Sequence, residues 1–430
     1  MKSQLVNKKL LVFGGVSAES ALVIRAKELG AYTFVADYRE DSPAKAYADE
    51  SLLVDVKETE TLAGVCEQKK IDGIITGYND YVLPYCQKLC ERLNKPFCGN
   101  KENIEMCVDK EKFKRACEKA KVPVVPWLET DKEHYLQILD TVELPAVIKP
   151  ADYSGSKGVY KCFDRKDLKG FIEKALAYSR AGKVLIEKLM DPYQEFSAYY
   201  MLYNGQAYLI AMGDRYINII DPNIAPVGKG MLYPSVHLDE WIEKMDKKVQ
   251  SFFSENEMQN GFVFLQGFYE NGNLYLHEIG YRLNGGHTYD IIEHFCKYNQ
   301  VDELLNYSLT GKMDEDELQK SDPYLHGGLG MIVTISIKPG KIRHIAGVEE
   351  IEKHAGVLSA HVFHKIGDEL KAHGTTAQVF AYFLVGVDKR EELEDVLDYI
   401  ERTLEVVDEN GNSMLREMIK MNDLRIKEYK

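Results

Sequence analysis

At 430 residues the chain has room for about two to three domains, and a hydrophobic fraction of 45% is enough to bury a sizeable core. A net charge of −14 with no block of lysines or arginines argues against nucleic acid as the main partner and against an anionic membrane, while still allowing a local basic cleft. The eight cysteines include no C-x-x-C pair; Cys86 and Cys90, four apart on a predicted helix, read as small core residues ahead of a metal or redox pair. No run of about 18 apolar residues occurs, and the LLVF that follows MKSQLVNKK is too short for a signal segment. The expectation is a reduced, soluble, cytoplasmic chain with no membrane partner.

Residues 9–14 (KLLVFG) read as a buried strand, followed by Ser17 as the N-cap of a helix that ends before Gly30. TFVAD (33–37) and IDGIIT (71–76) read as further strands, and their alternation with helical stretches of 10–15 residues predicts parallel βαβ units. A dinucleotide site is the obvious rival, since Asp37 lies about 20 residues beyond the first turn. The turn is Gly14-Gly15-Val16-Ser17-Ala18-Glu19, however. It lacks the third glycine of G-x-G-x-x-G, and Glu19 stands where a pyrophosphate would go.

Residues 110–120 form a predicted helix capped by Asp109, with Phe113, Ala116, Cys117 and Ala120 on one face. Pro123 and Pro126 mark a break. From 145 to 310, hairpins alternate with helices, and Asn204-Gly205 and Asn271-Gly272 are turn signals. After 329, two strands flank Pro339-Gly340, then a G-D-E-L hairpin near 367–370 and a helix over EELEDVLDYI. No internal repeat or low-complexity segment occurs.

An ordered set of charged residues punctuates these elements. Lys110 occupies the first turn of its helix, where the dipole disfavours a cation unless an anion shares the N-terminus. Lys149 ends the short apolar strand Ala146-Val147-Ile148, a place where lysines are commonly exposed. The small residues Ser154, Gly155, Ser156 and Gly158 follow, and would let backbone N–H groups approach phosphate oxygens. The loop is not a Walker P-loop. Glu187-Lys188-Leu189 follows the strand VLI, with Glu195 eight residues beyond Glu187, and GFVFLQGFYENGNLYLHEIGYRLNGG carries Gln266, Glu278, Arg282 and Asn284. Arg215, Lys229 and His237 are candidates for phosphate or substrate carboxylate contacts, or ordinary surface residues. Arg343 is a weaker candidate for the same cleft.

From about residue 8 to the C-terminus this set resembles the ATP-grasp superfamily, in particular its biotin-carboxylase-like and L-amino-acid-ligase-like members. The resemblance implies a parallel α/β domain over 1–107, a nucleotide-binding ATP-grasp region over 108–312 with a lid at about 123–190, and an α+β domain over 313–430. It implies ATP bound through Lys110, Lys149, the Ser154–Gly158 loop, the Glu187–Leu189 edge for adenine, and Glu195 for ribose. It makes Glu278 a ligand of Mg²⁺ (or Mn²⁺) and Arg282 a neutraliser of phosphate charge, with Lys229 and Arg215 as further catalytic candidates. Two positions depart from the family pattern: Gln266 replaces a carboxylate, and Gly280 replaces a metal-ligating asparagine whose part Asn284 could take. With no repeat in this sequence, the expectation is a single ATP-grasp unit, not the tandem carbamoyl-phosphate synthetase architecture.

Shared metal chemistry requires 266 and 278 to face the same way. A regular hairpin with a two-residue Asn-Gly turn would put them on opposite faces, so the expectation is a three-residue loop over 271–273, pairing 270 with 274. The function expected is an ADP-forming carboxylate–amine ligase acting on a small carboxylate, amino acids foremost, and an amine. A nucleotide-binding protein without turnover, or a biotin- or purine-type carboxylase, is the alternative. Nothing opposes a homodimer.

Overall fold

The computed structural model describes residues 5–152, 158–220, 226–371, 376–427 and 429. Four parallel strands open the chain: β1 (Lys9–Phe13), β2 (Tyr32–Ala36), β3 (Glu50–Leu52) and β4 (Gly73–Ile75), in the order β3-β2-β1-β4. Apolar side chains line both faces of β1, as a strand covered on two sides requires. The first helix runs Glu19–Glu28, one residue later than the Ser17 cap implies, and Ala18 stands at its N-cap with no side-chain bond. Glu19 takes over the turn because its carboxylate turns inward to the backbone N–H of Tyr78 at 3.2 Å.

The strands β5 (Trp127–Asp131), β6 (Ala146–Pro150), β7 (Tyr160–Cys162) and β8 (Lys183–Lys188) form a second, antiparallel sheet ordered β5-β8-β6-β7. The amphipathic helix Arg165–Tyr178 covers it through Leu168, Ile172, Ala175 and Leu176. The remaining large strands are β9 (Glu195–Tyr203), β10 (Gln206–Asn218), β11 (Val227–Tyr233), β12 (Gly261–Glu270), β13 (Asn273–Gly280) and β14 (Leu329–Ser336). Then come β15 (Gly340–Ala346), β16 (Val357–Val362), β17 (Glu369–Leu370), β18 (Val379–Val387) and β19 (Glu405–Asp408). Eight of these make one continuous sheet, β13-β12-β9-β10-β11-β14-β18-β16; β17-β15-β19 make a small one. The two strands around Pro339-Gly340 therefore do not pair with each other. β14 joins the large sheet, β15 the small one. No helix among the described residues is long and apolar enough to cross a membrane.

Both Asn-Gly signals make two-residue turns, with Asn204 and Asn271 at φ +50° and Gly205 and Gly272 at φ +80° and +79°. The expected three-residue loop at 271–273 is therefore wrong: Glu270 pairs with Asn273. The ladder instead shifts between Gln266 and Gly267, leaving His277 as an extra residue, and beyond it Gln266 pairs with Glu278. A bulge in the strand achieves what a longer turn was expected to do.

Candidate nucleotide site

The helix Lys110–Lys119 begins as expected. The side chain of Asp109 accepts from the N–H groups of Glu111 and Lys112 at 2.9 and 3.1 Å. Lys110, in the first turn, is partly buried, and burial lowers its pKa while Glu278 and Glu187 act to raise it. Lys149 departs from expectation: β6 is interior to its sheet, and the lysine is 6% exposed. Its Nζ lies 2.8 Å from Oε1 of Glu187, itself 5% exposed. Lys114, fully buried, places its Nζ 3.0 Å from the same oxygen and donates to the carbonyl of Val125 at 3.1 Å. Burial pushes the Glu187 carboxyl up, but the two lysines outweigh it and hold it at about 2.

His277, the bulge residue, faces this group. Burial, then Lys149, push its imidazole down to about 3, and its Nε2 is buried without a hydrogen-bond partner. Arg215 also acts on His277 and grips Glu195 with one nitrogen, Nη1, at 2.9 and 2.7 Å from the two carboxylate oxygens. So Lys110 lies within electrostatic reach of Lys149, Glu187 and Glu278, and His277 within reach of Lys149, Glu187 and Arg215, which is paired with Glu195.

Glu278 and Gln266 stand opposite each other across β12 and β13. Gln266 donates its amide to Ser197 Oγ at 3.4 Å, which leaves its carbonyl oxygen as an acceptor. Among the described residues no group of three or more His, Cys, Asp or Glu side chains could hold a metal ion. The protein thus offers one carboxylate and one amide oxygen, a set that fits Mg²⁺ when nucleotide phosphates supply further oxygens. Gly280 cannot carry a ligand, and packing explains why: an added Cβ would lie 2.1 Å from Cζ of Phe264. Asn284 donates its amide to Thr288 Oγ1 at 2.8 Å, and its Oδ1 is buried without a partner.

Arg282 is held bidentately by Asp80, Nε and Nη2 each 2.6 Å from a carboxylate oxygen, and its guanidinium lies over the Phe264 ring. A cavity of about 750 Å³ opens beside these groups, lined by Asp80, Tyr81, Asp109, Lys110, Asp152 and Glu278 among others. Asp152 fixes one edge by accepting from Ser179 Oγ and the N–H groups of Arg180 and Ala181 at 2.8, 3.2 and 2.9 Å. Gly158, at φ +74° and against the Tyr178 ring, admits no side chain. Ser154, Gly155 and Ser156 lie outside the described residues.

Other expected residues sit differently. Lys188 is exposed and paired with Glu270, while the Leu189 N–H bonds the carbonyl of Pro145 at 3.1 Å. Lys229 is engaged by Glu417 and Asp423 at 3.4 and 3.8 Å. His237 stacks on Tyr269 with ring centroids 3.9 Å apart, and Arg343 is exposed on β15.

Sequence reasoning missed Lys114, His277 and Asp80. The first carried a signal, since it stands one helical turn beyond Lys110; the others carried none. Glu19 was noticed only as an obstacle to dinucleotide. It is fully buried, and its Oε2 lacks a partner. Burial pushes its carboxyl up to about 7, with hydrogen bonds from Tyr78 and Gly77 opposing. It lines a second cavity, of about 460 Å³, with Gly14, Asp37, Arg39, Lys57 and Asn79. Tyr81 lines both cavities.

Two family models match the chain: the ATP-binding domain of the carbamoyl-phosphate synthase L chain over residues 109–217, and the L-amino acid ligase C-terminal domain 2 over 333–409. The carbamoyl phosphate synthase large chain of Pyrococcus furiosus is 28% identical over 156 residues, which cover 34% of this chain and 15% of that protein. The formate-dependent phosphoribosylglycinamide formyltransferase of Maridesulfovibrio salexigens is 25% identical over 217 residues, covering 48% of this chain and 54% of that one. The chain thus spans less than two thirds of either relative. Among solved structures, the L-amino acid ligase of Bacillus licheniformis superposes with a TM-score of 0.76 at 19% identity, over 94% of this chain and 100% of that one. The biotin carboxylase domain of the Hydrogenobacter thermophilus 2-oxoglutarate carboxylase, solved as a dimer with MgADP and bicarbonate, superposes at 0.76 and 18%, over 95% and 91%. Such likenesses establish the ATP-grasp fold.

Proposed function

We propose that this chain, an ATP-grasp protein by its fold and its two family matches, is an ADP-forming carboxylate–amine ligase. It activates a small carboxylate, amino acids foremost, as an acyl phosphate, which an amine then attacks with loss of phosphate. One observation carries this reading: Lys110 lies within electrostatic reach of Lys149, Glu187 and Glu278, in a chain whose C-terminal part matches an L-amino acid ligase domain. The boundaries 1–107, 108–312 (lid about 123–190) and 313–430 belong to the same proposal.

In this reading Lys110 and Lys149 neutralise nucleotide phosphates, and Glu187 with the Leu189 edge faces the adenine. The pair Glu195–Arg215 borders the ribose. Glu278 and the Gln266 carbonyl would hold Mg²⁺, which would supply positive charge against the nucleotide phosphates. Arg282, oriented by Asp80, stabilises charge on the transferring phosphoryl group. Such catalysis is alignment and charge neutralisation, and needs no covalent nucleophile from the protein.

The second cavity supports an amino acid as substrate. It lies at the carboxyl ends of the parallel strands, where β1 parts towards β2 on one side and β4 on the other, the usual ligand crevice of such sheets. A substrate ammonium would give Glu19 the counter-charge its orphaned oxygen lacks. A nucleotide-binding protein without turnover is the second reading, favoured by Gln266 and Gly280. The test is release of ADP and phosphate over a panel of amino acids paired with amines. Release that needs both partners supports the ligase; tight ATP binding with no release across the panel supports the binding protein.

A further inference from the structure

Lys114 is a buried charge the proposed reaction leaves unused. Its ammonium and that of Lys149 stand 3.0 and 2.8 Å from one and the same oxygen of Glu187. Either lysine alone would neutralise that carboxylate. Together they leave an excess positive charge in a closed place. Removing one partner from a buried ion pair is strongly unfavourable, because the remaining charge is stranded without water. If Lys149 were the sole partner of Glu187, drawing it to a phosphate would strand the glutamate.

We propose that Lys114 is the standing counterion of Glu187, and that it frees Lys149 to move to a nucleotide phosphate. Lys114 is thus a positioning residue that acts through Glu187 and Lys149. The anion it prepares for is the phosphate chain of a nucleoside triphosphate, and in this respect the inference rests on the ATP reading above. The Lys114 ammonium also donates to the carbonyl of Val125 at 3.1 Å, a bond in which Lys149 takes no part.

The experiment is calorimetric titration of the full chain with ATP and with adenosine. Variants are Lys114→Met, Glu187→Gln and the double variant; Lys114→Gln, which removes the charge and keeps an amide donor, serves if Met does not fold. Loss of a charge-assisted phosphate contact predicts that Lys114→Met weakens ATP by about tenfold to a hundredfold. Adenosine, with no phosphate, should change far less. In the Glu187→Gln background, where nothing holds Lys149 back, the penalty of Lys114→Met on ATP should largely vanish.

Equal penalties in both backgrounds would overturn the proposal, for Lys114 would then act on phosphate directly through space. Equal loss of ATP and adenosine would also overturn it and make Lys114 a packing residue. An ATP-silent wild-type chain is a different failure, because it removes the nucleotide reading itself.

Discussion

A Cβ on Gly280 would approach Cζ and Cε1 of Phe264 to 2.1 and 2.2 Å, far inside van der Waals contact. The ring is 7% exposed and cannot swing freely into water. Gly280→Ala should therefore destabilise the fold by about 1–3 kcal/mol, the usual range for overpacking, and lower the melting temperature. An unchanged melt would mean that Phe264 moves aside easily, and that the absent asparagine has some other cause. Glu19 is the opposite case, a residue the fold would be more stable without. Its folded pKa of about 7 lies above its ordinary 4.5, so the folded state binds the proton more tightly. Stability from this group is present below about pH 4.5 and lost as pH rises towards 7. Glu19→Gln should then raise the melting temperature at pH 8, with a gain that shrinks by pH 5. A loss of stability at both pH values would show that Glu19 is a structural ligand of the Tyr78 turn, with no ligand to wait for.

The hairpin β12–β13 carries the metal expectation at the scale of an element. Its two candidate ligands face each other because His277 bulges, a device with no signature in sequence. Asn271-Gly272 is legible as a turn but not in its two-residue length, and the need for 266 and 278 to meet comes from the family resemblance. How the strand reconciles the two depends on where His277 finds room, which is a tertiary matter. The same division holds elsewhere. The Asp109 cap, the Asn204-Gly205 turn and the parallel strands around Gly14 rest on local periodicity and capping, and all are present. Burial of Lys149, the reach of Asp80 to Arg282 and the capture of Lys229 by Glu417 depend on contacts between residues far apart in sequence, and none could be read in advance.

With a single carboxylate in the proposed metal pair, Coulomb attraction to Mg²⁺ would rest heavily on Glu278. Glu278→Gln should abolish ADP formation, and Gln266→Glu should lower the Mg²⁺ concentration needed for half-maximal rate. Full activity in Glu278→Gln would sink the metal assignment. An unchanged Mg²⁺ dependence in Gln266→Glu would place residue 266 outside the metal shell despite its register.

At the scale of the whole molecule, the strands proposed to hold nucleotide and the C-terminal strands β14, β16 and β18 share one sheet. β11 pairs with β14 from Gly230↔Val333 to Tyr233↔Gly330, and β14 pairs with β18 along its length. Apolar side chains of β14 divide between two cores: Ile332 packs with Tyr199, Tyr233 and Leu384, while Met331, Val333 and Ile335 pack with Phe383 and Val385. A ligand that stabilises the cleft therefore acts on strands continuous with the C-terminal domain, and its effect should appear in the main unfolding transition. Binding to the folded state alone adds about 2.7 kcal/mol at a hundredfold excess over Kd. At this chain length that corresponds to a rise of roughly a few degrees.

The sparseness of the proposed metal pair sharpens the expectation. Mg²⁺ alone, offered one carboxylate and one amide oxygen, should shift the melt little; ATP should shift it, and ATP with Mg²⁺ should shift it most. Calorimetric melts under the three conditions check this. A large shift with Mg²⁺ alone would point to further metal ligands beyond Gln266 and Glu278. No shift with millimolar ATP and Mg²⁺ would remove the nucleotide from the site, and with it the phosphate contacts proposed for Lys110 and Lys149 and the adenine contact proposed for Glu187.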